Sequence, residues 1–295
     1  MITVNEYCKK QFGEKLYKIS LDGGMSCPNR DGKLDTRGCI FCSAGGSGDF
    51  TPDRRIPLDE QIEDAKKRVS SKYKGTHYIA YFQAYTNTYA PVEKLRALFM
   101  PVIKREDIAV LSIATRPDCL SDEVLDLLRE LNDIKPVWVE LGLQTIHEKT
   151  VDYIRRGYPL PVYDKAIRDL DKIGIHTITH LILGLPGETK EDMLQSVRYV
   201  AACGSQGIKL QLLHVLKGTD LASDYEKGLF QTLSFDEYMD LLADCVRLLP
   251  KDMVVHRLTG DGPKNLLMAP MWSADKKRVM NTIHQRLKKD GLYCE

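Results

Sequence analysis

The sequence predicts an α/β chain: a partial (β/α)6 TIM-like barrel over residues 1–220, followed by an α+β extension over residues 221–295. Short apolar runs rich in β-branched residues alternate with amphipathic stretches of helical length, the pattern of βαβ units feeding a parallel sheet. That rhythm holds until His214 and then breaks. Of the 295 residues, 43% are hydrophobic, ample for one large core, and 42 Lys plus Arg nearly balance 41 Asp plus Glu. Such balance leaves no global field for a polyanion, so any RNA contact must come from a local patch.

The first strand is Leu16–Leu21, which delivers the chain into a cysteine loop at residues 27–42. Pro57–Lys72 is predicted as a helix. Asp59, Glu60, Glu63 and Asp64 fall in its first half and Lys66, Lys67 and Arg68 in its second, an order that suits the helix dipole. Strands follow at His77–Gln83, Ile108–Ala114, Val137–Leu143, His180–Gly184 (from His176 in the longer reading) and Ile208–Val215. Helices separate them at Val92–Arg105, Ser121–Leu131, a broken segment Glu148–Ile173, and Lys190–Cys203. Ser121 before Asp122 and Glu123 is an N-cap with an acidic first turn. Right-handed crossovers curl six such strands into an incomplete barrel. Beyond His214, Ser234–Leu249 reads as a helix and Met253–Leu258 as a short strand or extended piece. Asp275–Lys289 reads as a last helix with Met280, Ile283 and Leu287 on one face.

The loop CPNRDGKLDTRGCIFC carries Cys27, Cys39 and Cys42 at C-x11-C-x2-C, ahead of a flexible tail, Ser43–Phe50. Three thiolates are one fewer than the four that close an iron–sulfur cluster or a structural zinc site. If all three bind one [4Fe–4S] cluster, one iron is open to a ligand that is not protein. The competing reading is half a zinc ribbon completed by His77 or His147, although zinc ligand pairs come as matched halves. Gly38, Gly45, Gly46 and Gly48 mark the stretch as loop, not core. The other cysteines, Cys8, Cys119, Cys203, Cys245 and Cys294, form no second C-x2-C and no disulfide framework, which suits a reducing cytoplasm. MITVNEYCKK lacks an apolar signal core, and no run of about 20 apolar residues exists to span a bilayer, so no membrane role is expected.

In β/α barrels functional groups gather at the C-terminal ends of strands. That rule selects QAYTNT (Gln83–Thr88), ATRPD (Ala114–Asp118), ELGLQT (Glu140–Thr145), HLILGLPGET (His180–Thr189) and LLHVLKGTD (Leu212–Asp220), all facing the same mouth as the cysteine loop.

The cysteine spacing, with Phe41 before the last cysteine, resembles the radical S-adenosylmethionine (radical SAM) superfamily. The eleven-residue gap departs from the usual C-x3-C-x2-C. It is similar to the branch containing the Elongator catalytic subunit, and closer to the YhcC/YtqA-like group. The resemblance implies that Cys27, Cys39 and Cys42 ligate a [4Fe–4S] cluster and that S-adenosylmethionine chelates the fourth iron. One electron then splits the cofactor to give a 5′-deoxyadenosyl radical, which takes a hydrogen atom from substrate. It further implies cofactor contacts at Phe41, at Gln83, Tyr85, Thr86 and Asn87, and at Gln144. In LILGLPG it implies Gly184, along an element where nucleoside packs on bare backbone. His180 stands where relatives carry an aspartate to the ribose hydroxyls. TRPD has Ala114 in place of a glutamate, which leaves Thr115 or Arg116 to compensate.

VVHRLTGDGPKNLL (Val254–Leu267) also resembles the YhcC/YtqA-like group. No catalytic residue is assigned; the candidates for closing the mouth and positioning substrate are His214, Lys217, His256, Arg257 and Asp261. Lys264 and the last helix, with Lys276, Lys277, Arg278, Arg286, Lys288 and Lys289, offer a basic strip that is either an RNA contact or a solvated face. Relatedness to Elongator-type enzymes implies a tRNA wobble uridine as substrate, processed from carboxymethylaminomethyl toward aminomethyl by a transferase or lyase. A flavodoxin or ferredoxin would be the electron donor. A radical SAM enzyme acting on a small metabolite and a non-catalytic metal-binding module remain open as alternatives.

Overall fold

The computed structural model describes residues 1–46, 48 and 51–293. Ser47, Asp49 and Phe50 of the expected flexible tail, and Cys294, lie outside the described residues. The chain opens with β1 (Ile2–Thr3) and α1 (Val4–Phe12). There follow β2 (Tyr17–Leu21), α2 (Leu58–Val69), β3 (Tyr78–Phe82), α3 (Val92–Ile103), β4 (Ile108–Thr115), α4 (Asp122–Ile134), β5 (Val137–Gln144), α5 (Glu148–Tyr153), α6 (Leu160–Lys172), β6 (His176–Leu183), α7 (Lys190–Ala202) and β7 (Gly207–Leu212). Beyond them come β8 (Val215–Leu216), α8 (Asp220–Glu226), α9 (Phe235–Leu248), β9 (Val254–Arg257), β10 (Leu267–Ala269) and α10 (Lys276–Lys289).

The predicted strands form in sequence order as β2 to β7, and every pairing in the large sheet is parallel. The result is a curled half-barrel of eight strands rather than six. The two extra strands extend one edge, where β9 pairs with β7 and β1 pairs with β9. Two residues with no strand pattern become β1 only because a partner edge is present. Ser121 caps α4, accepting from the Val124 amide, and Ser234 with Glu237 forms a capping box on α9. The broken segment resolves into α5 and α6. No helix among the described residues is long and apolar enough to cross a membrane.

Period-two alternation sorts each strand between two environments. In β5, Val137, Val139, Leu141 and Leu143 join the main core with apolar residues of α3, α4, α6, α7 and α9. The intervening residues face the barrel interior and climb it in layers. Trp138 sits lowest, with Ile79, Val110, Ile178, Leu16 and Cys8, and α1 closes that end with Tyr7 edge-on to the indole at 6.0 Å. Glu140 lies one layer up, and Gly142 and Gln144 line the cavity above it. On α10, Val279, Ile283 and Leu287 are buried, so the apolar stripe is rotated from the expected one to include Val279 in place of half-buried Met280.

Trp138 is the largest side chain of the bottom plug and only 1% exposed. Trp138→Ala is expected to cost about 3–5 kcal/mol, the transfer term of a buried indole plus the cavity it leaves. Equilibrium denaturation in urea measures it; a loss below about 1 kcal/mol would mean that the plug is not close-packed.

Candidate active site

The cysteine loop is held to the barrel by backbone and arginine contacts. Cys42 N–H bonds the Cys39 carbonyl at 3.0 Å, closing a turn that draws the two cysteines together. Gly38 enters that turn at φ +78°, a conformation that side chains resist. Arg30 donates to the carbonyls of Cys42 (2.9 Å) and Ser43 (2.7 Å). Arg155 Nε donates to the Gly38 carbonyl at 3.0 Å and its guanidinium pairs with Asp220 at 2.6 Å. Asn29 Nδ2 reaches Cys39 Sγ at 3.4 Å. The segment is a loop in backbone, as expected, but Ile40 is 6% exposed and packs with Ile154, Ile182, Leu213 and Leu221 in a core of its own.

Cys27, Cys39 and Cys42 line one cavity of about 450 Å³. Among the described residues no three His, Cys, Asp or Glu side chains converge on a point fit for a single metal ion. His77 is engaged with Glu14 at 2.6 Å and His147 with the Asp192 carbonyl at 2.8 Å, so neither completes a zinc site with the cysteines. Three thiols spaced around a cavity suit the separate irons of a cluster. Burial, with Cys42 and Cys27 nearby, pushes the Cys39 thiol up to about 12. A metal cation is what makes a thiolate stable in such a place.

Gln83 and Gln144 also line the cavity. The Gln83 side chain makes no hydrogen bond among the described residues, and buried Gln144 Oε1 is an orphan acceptor. Gln144 adopts φ +68° where β5 slips register against β6. Tyr85 (φ +58°) and Arg155 (φ +55°) are likewise left-handed, so the three such non-glycine residues among those described all surround the cysteine end. Tyr85 donates to the Ala44 carbonyl at 2.6 Å and its ring lies where a Cβ on Gly46 would be, at 2.4 Å. Phe41, Thr86, Arg257, Asp261 and His214 line the cavity. A Cβ on Gly260 would meet His214 at 2.8 Å, so the 260–263 loop closes against that ring.

Other expected residues are placed differently. His256 faces the bottom plug, 5.2 Å from the Trp138 ring, with both ring nitrogens unpartnered, because β9 continues the sheet inward and is no loop at the mouth. Lys217 is exposed just past β8, its amide bonded to the Leu266 carbonyl at 2.8 Å, and is not among the cavity's lining residues. Asn87 is fully buried and donates to the carbonyls of Phe82, Ala84 and Ala114, which shapes the turn after β3. Gly184 turns the chain at φ +90° against Leu233 and does not line the cavity. Thr115 and Arg116 do line it, but Thr115 is bonded to Thr88, while Arg116 is spent on Asp118 (2.7 Å) and the Arg156 carbonyl (2.8 Å). Cys119 lies outside this cavity, beside Asp118.

The layer beneath was missed by sequence reasoning. Glu140 is 0% exposed. Lys18 Nζ (2.7 Å), Ser112 Oγ (2.9 Å), His180 Nε2 (2.7 Å) and Lys209 all bond its carboxylate. Burial alone would raise its pKa, but Lys18, Lys209 and His180 outweigh that and hold it well below the carboxylate range. His180 lines the same cavity as the cysteines and holds Glu140 through Nε2. The missed signal was a charged residue in the middle of an apolar strand: Lys in YKISL, Glu in VWVELGLQ, Lys in GIKLQL.

Residues 36–200 match the family model of the Radical SAM superfamily, and residues 205–289 match that of the Radical_SAM C-terminal domain. Protein YtqA of Bacillus subtilis (strain 168) is 48% identical over 291 residues, covering 99% of this chain and 90% of that protein. A tRNA uridine(34) acetyltransferase of Methanocaldococcus jannaschii is 23% identical over 188 residues, 63% of this chain and 34% of that enzyme. In fold, the archaeal Methanocaldococcus infernus Elp3 structure superposes with a TM-score of 0.70 at 15% identity, covering 100% of this chain and 65% of that one. This chain thus spans about a third of the acetyltransferase and just under two thirds of the Elp3 chain.

Burial lowers His176, His180 and His214 from 6.5 to about 4. The unfolded chain takes up these protons first, so the stability these three contribute is full above pH 6.5 and falls as pH drops toward 4, and His256, lowered further by burial, extends the loss beyond that. Glu140, held low, adds its own loss only at more acidic pH. Denaturation midpoints against pH should show this slope, and His214→Gln should flatten it; an unchanged slope in that variant would mean that His214 is not buried neutral.

Proposed function

We propose that this chain, which belongs to the radical SAM superfamily, modifies the side chain of a tRNA wobble uridine, taking a carboxymethylaminomethyl group toward aminomethyl. The family's enzymes bind a [4Fe–4S] cluster and S-adenosylmethionine. The observation that carries the reading is one cavity lined by three cysteines and two unspent amides. Cys27, Cys39 and Cys42 would hold the cluster, and Gln83 and Gln144 would face S-adenosylmethionine. When bound, the pair supplies one-electron chemistry that ends in removal of a hydrogen atom from substrate.

This chain's own share is positioning and exclusion. Arg30 and Arg155 fix the loop carbonyls so that the thiolates keep one geometry. Residues 1–220 form the catalytic core, and the extension, residues 221–295, covers the mouth through Gly260 to Pro263. His214 stays neutral at pH 7, its proton affinity lowered by burial, so it offers a hydrogen bond and not a charge. A reduced flavodoxin or ferredoxin delivers the electron, in the cytoplasm.

Two things support tRNA as the substrate. The acetyltransferase relative is named for uridine 34 of tRNA. On α10, Lys277 and Lys289 have no ion-pair partner among the described residues and Arg278 lies over the Phe235 ring at 4.9 Å. Lys276 and Arg286 do not count toward a strip, since Asp261 (2.6 Å) and Asp240 (2.8 Å) neutralise them. A small-metabolite substrate is the second reading, favoured by the net charge of +1.

Anaerobic reconstitution should yield an absorbing cluster and 5′-deoxyadenosine on reduction, and Cys39→Ala should lose both while unfolding at nearly the wild-type denaturant midpoint. Tight colourless zinc in their place would refute the radical chemistry. Nucleosides from the tRNA of a deletion strain should accumulate the carboxymethylaminomethyl form; an unchanged profile would reject the tRNA reading in favour of a metabolite.

A further inference from the structure

The interior layer of the barrel holds three basic side chains around one acid. Lys18 and Lys209 bond the buried carboxylate of Glu140, while burial, with Lys18 and Arg257 nearby, holds Lys209 well below the ordinary lysine range against the pull of Glu140. His180 and His214 are held neutral by burial, and Tyr81 supplies a ring and a hydroxyl. Lys18 and Lys209 bond Glu140, and both stand over the Tyr81 ring, at 4.3 Å and 4.6 Å. Arg257 has no such partner. Its side chain makes no hydrogen bond among the described residues, and its one nearby anion, Asp261, is 3.7 Å away and already held by Lys276 at 2.6 Å.

Arg257 reaches this place through a defect in the sheet. β9 pairs Val254 with Gly207 and Val255 with Ile208, then slips so that Arg257 pairs with Lys209. The extra residue, His256, packs into the plug on Trp138 while Arg257 lines the cavity. A bulge that re-aims a side chain beside a site is a recurring use of the motif. The cations at the cysteine end are different in kind: Arg30 and Arg116 spend their donors on carbonyls and on Asp118.

We propose that Arg257 and Lys209 form an anion subsite that grips a carboxylate of the substrate. Arg257 offers the charge and a planar fork, and Lys209 an amine donor whose position Glu140 and Tyr81 fix. This rests on the tRNA reading, in which the uridine side chain ends in a carboxylate and is slim enough to enter the barrel while phosphates stay at the mouth. In that reaction the carboxymethyl carbon gives up a hydrogen atom and then one electron, water hydrolyses the resulting imine, and the two-carbon unit leaves as glyoxylate, with S-adenosylmethionine the net two-electron oxidant. The product keeps its ammonium but has lost the carboxylate, so Arg257 no longer attracts it. One site thus selects substrate over product.

The test uses reconstituted enzyme with S-adenosylmethionine, held anaerobic. Binding is compared for two anticodon stem–loop RNAs, one with carboxymethylaminomethyluridine and one with aminomethyluridine at the wobble position, and for N-benzylglycine against benzylamine. Wild type should favour the carboxylate member of each pair by roughly 10- to 100-fold. Arg257→Gln should reduce that to about twofold or less, and Arg257→Lys should restore part of it, with S-adenosylmethionine affinity unchanged in both. The proposal falls if wild type shows no carboxylate preference in either pair. It falls equally if Arg257→Gln keeps the preference and instead weakens S-adenosylmethionine binding, which would make Arg257 a cofactor residue. An Arg257-dependent preference for N-benzylglycine without conversion of tRNA would uphold the subsite and refute the RNA reading. Conversion of tRNA that is insensitive to Arg257 would do the reverse.

Discussion

A buried carboxylate ties the half-barrel together. Glu140 sits on β5 and bonds to Lys18 of β2, Ser112 of β4, His180 of β6 and Lys209 of β7. Five of the eight strands therefore meet at one charge. Taking a carboxylate out of water costs several kcal/mol, and the cost is recovered only when its lone pairs are filled with good geometry. That requirement sets how the strands close on one another, and so the width of the cavity above. An all-apolar layer would pack as well, but it would accept many arrangements and offer the cavity no polar floor.

Above that floor, backbone geometry that side chains normally avoid is concentrated in one region. Tyr85, Gln144 and Arg155 are left-handed, and each touches the cysteine loop or the cavity. Residues held this way persist because their surroundings over-determine them. Here the surroundings are the arginine contacts to loop carbonyls and the small core around Ile40. The loop is irregular in path yet bound at several points along its length, which suits a segment whose three sulfurs must keep their spacing.

The extension contributes to both ends of the barrel. Through β9 it supplies sheet, and through the bulge at His256 it sends one imidazole down into the plug and one guanidinium up into the cavity. The loop after β9 then wraps His214, where two glycines leave room for the ring. Core and extension share a sheet, so the cavity's inner wall and its cover are built on one continuous framework.

Strand and helix order, the capping of α4 and α9, and the convergence of three cysteines near strand ends are local or periodic properties, and the amino-acid order alone determined them. That Gln144, His180 and the cysteine trio line one cavity was legible because motif spacing and strand ends carry them. The inward turn of His256 was not. Whether an inward residue belongs to the plug, the charged layer or the mouth depends on register between strands distant in the chain, and a one-residue slip in β9 decided it. The same holds for Lys18, Glu140 and Lys209, which lie 122 and 69 residues apart in sequence and become a unit only when the sheet curls. Tertiary closure chose their partners, because only a closed interior makes an unpaired charge too costly to keep.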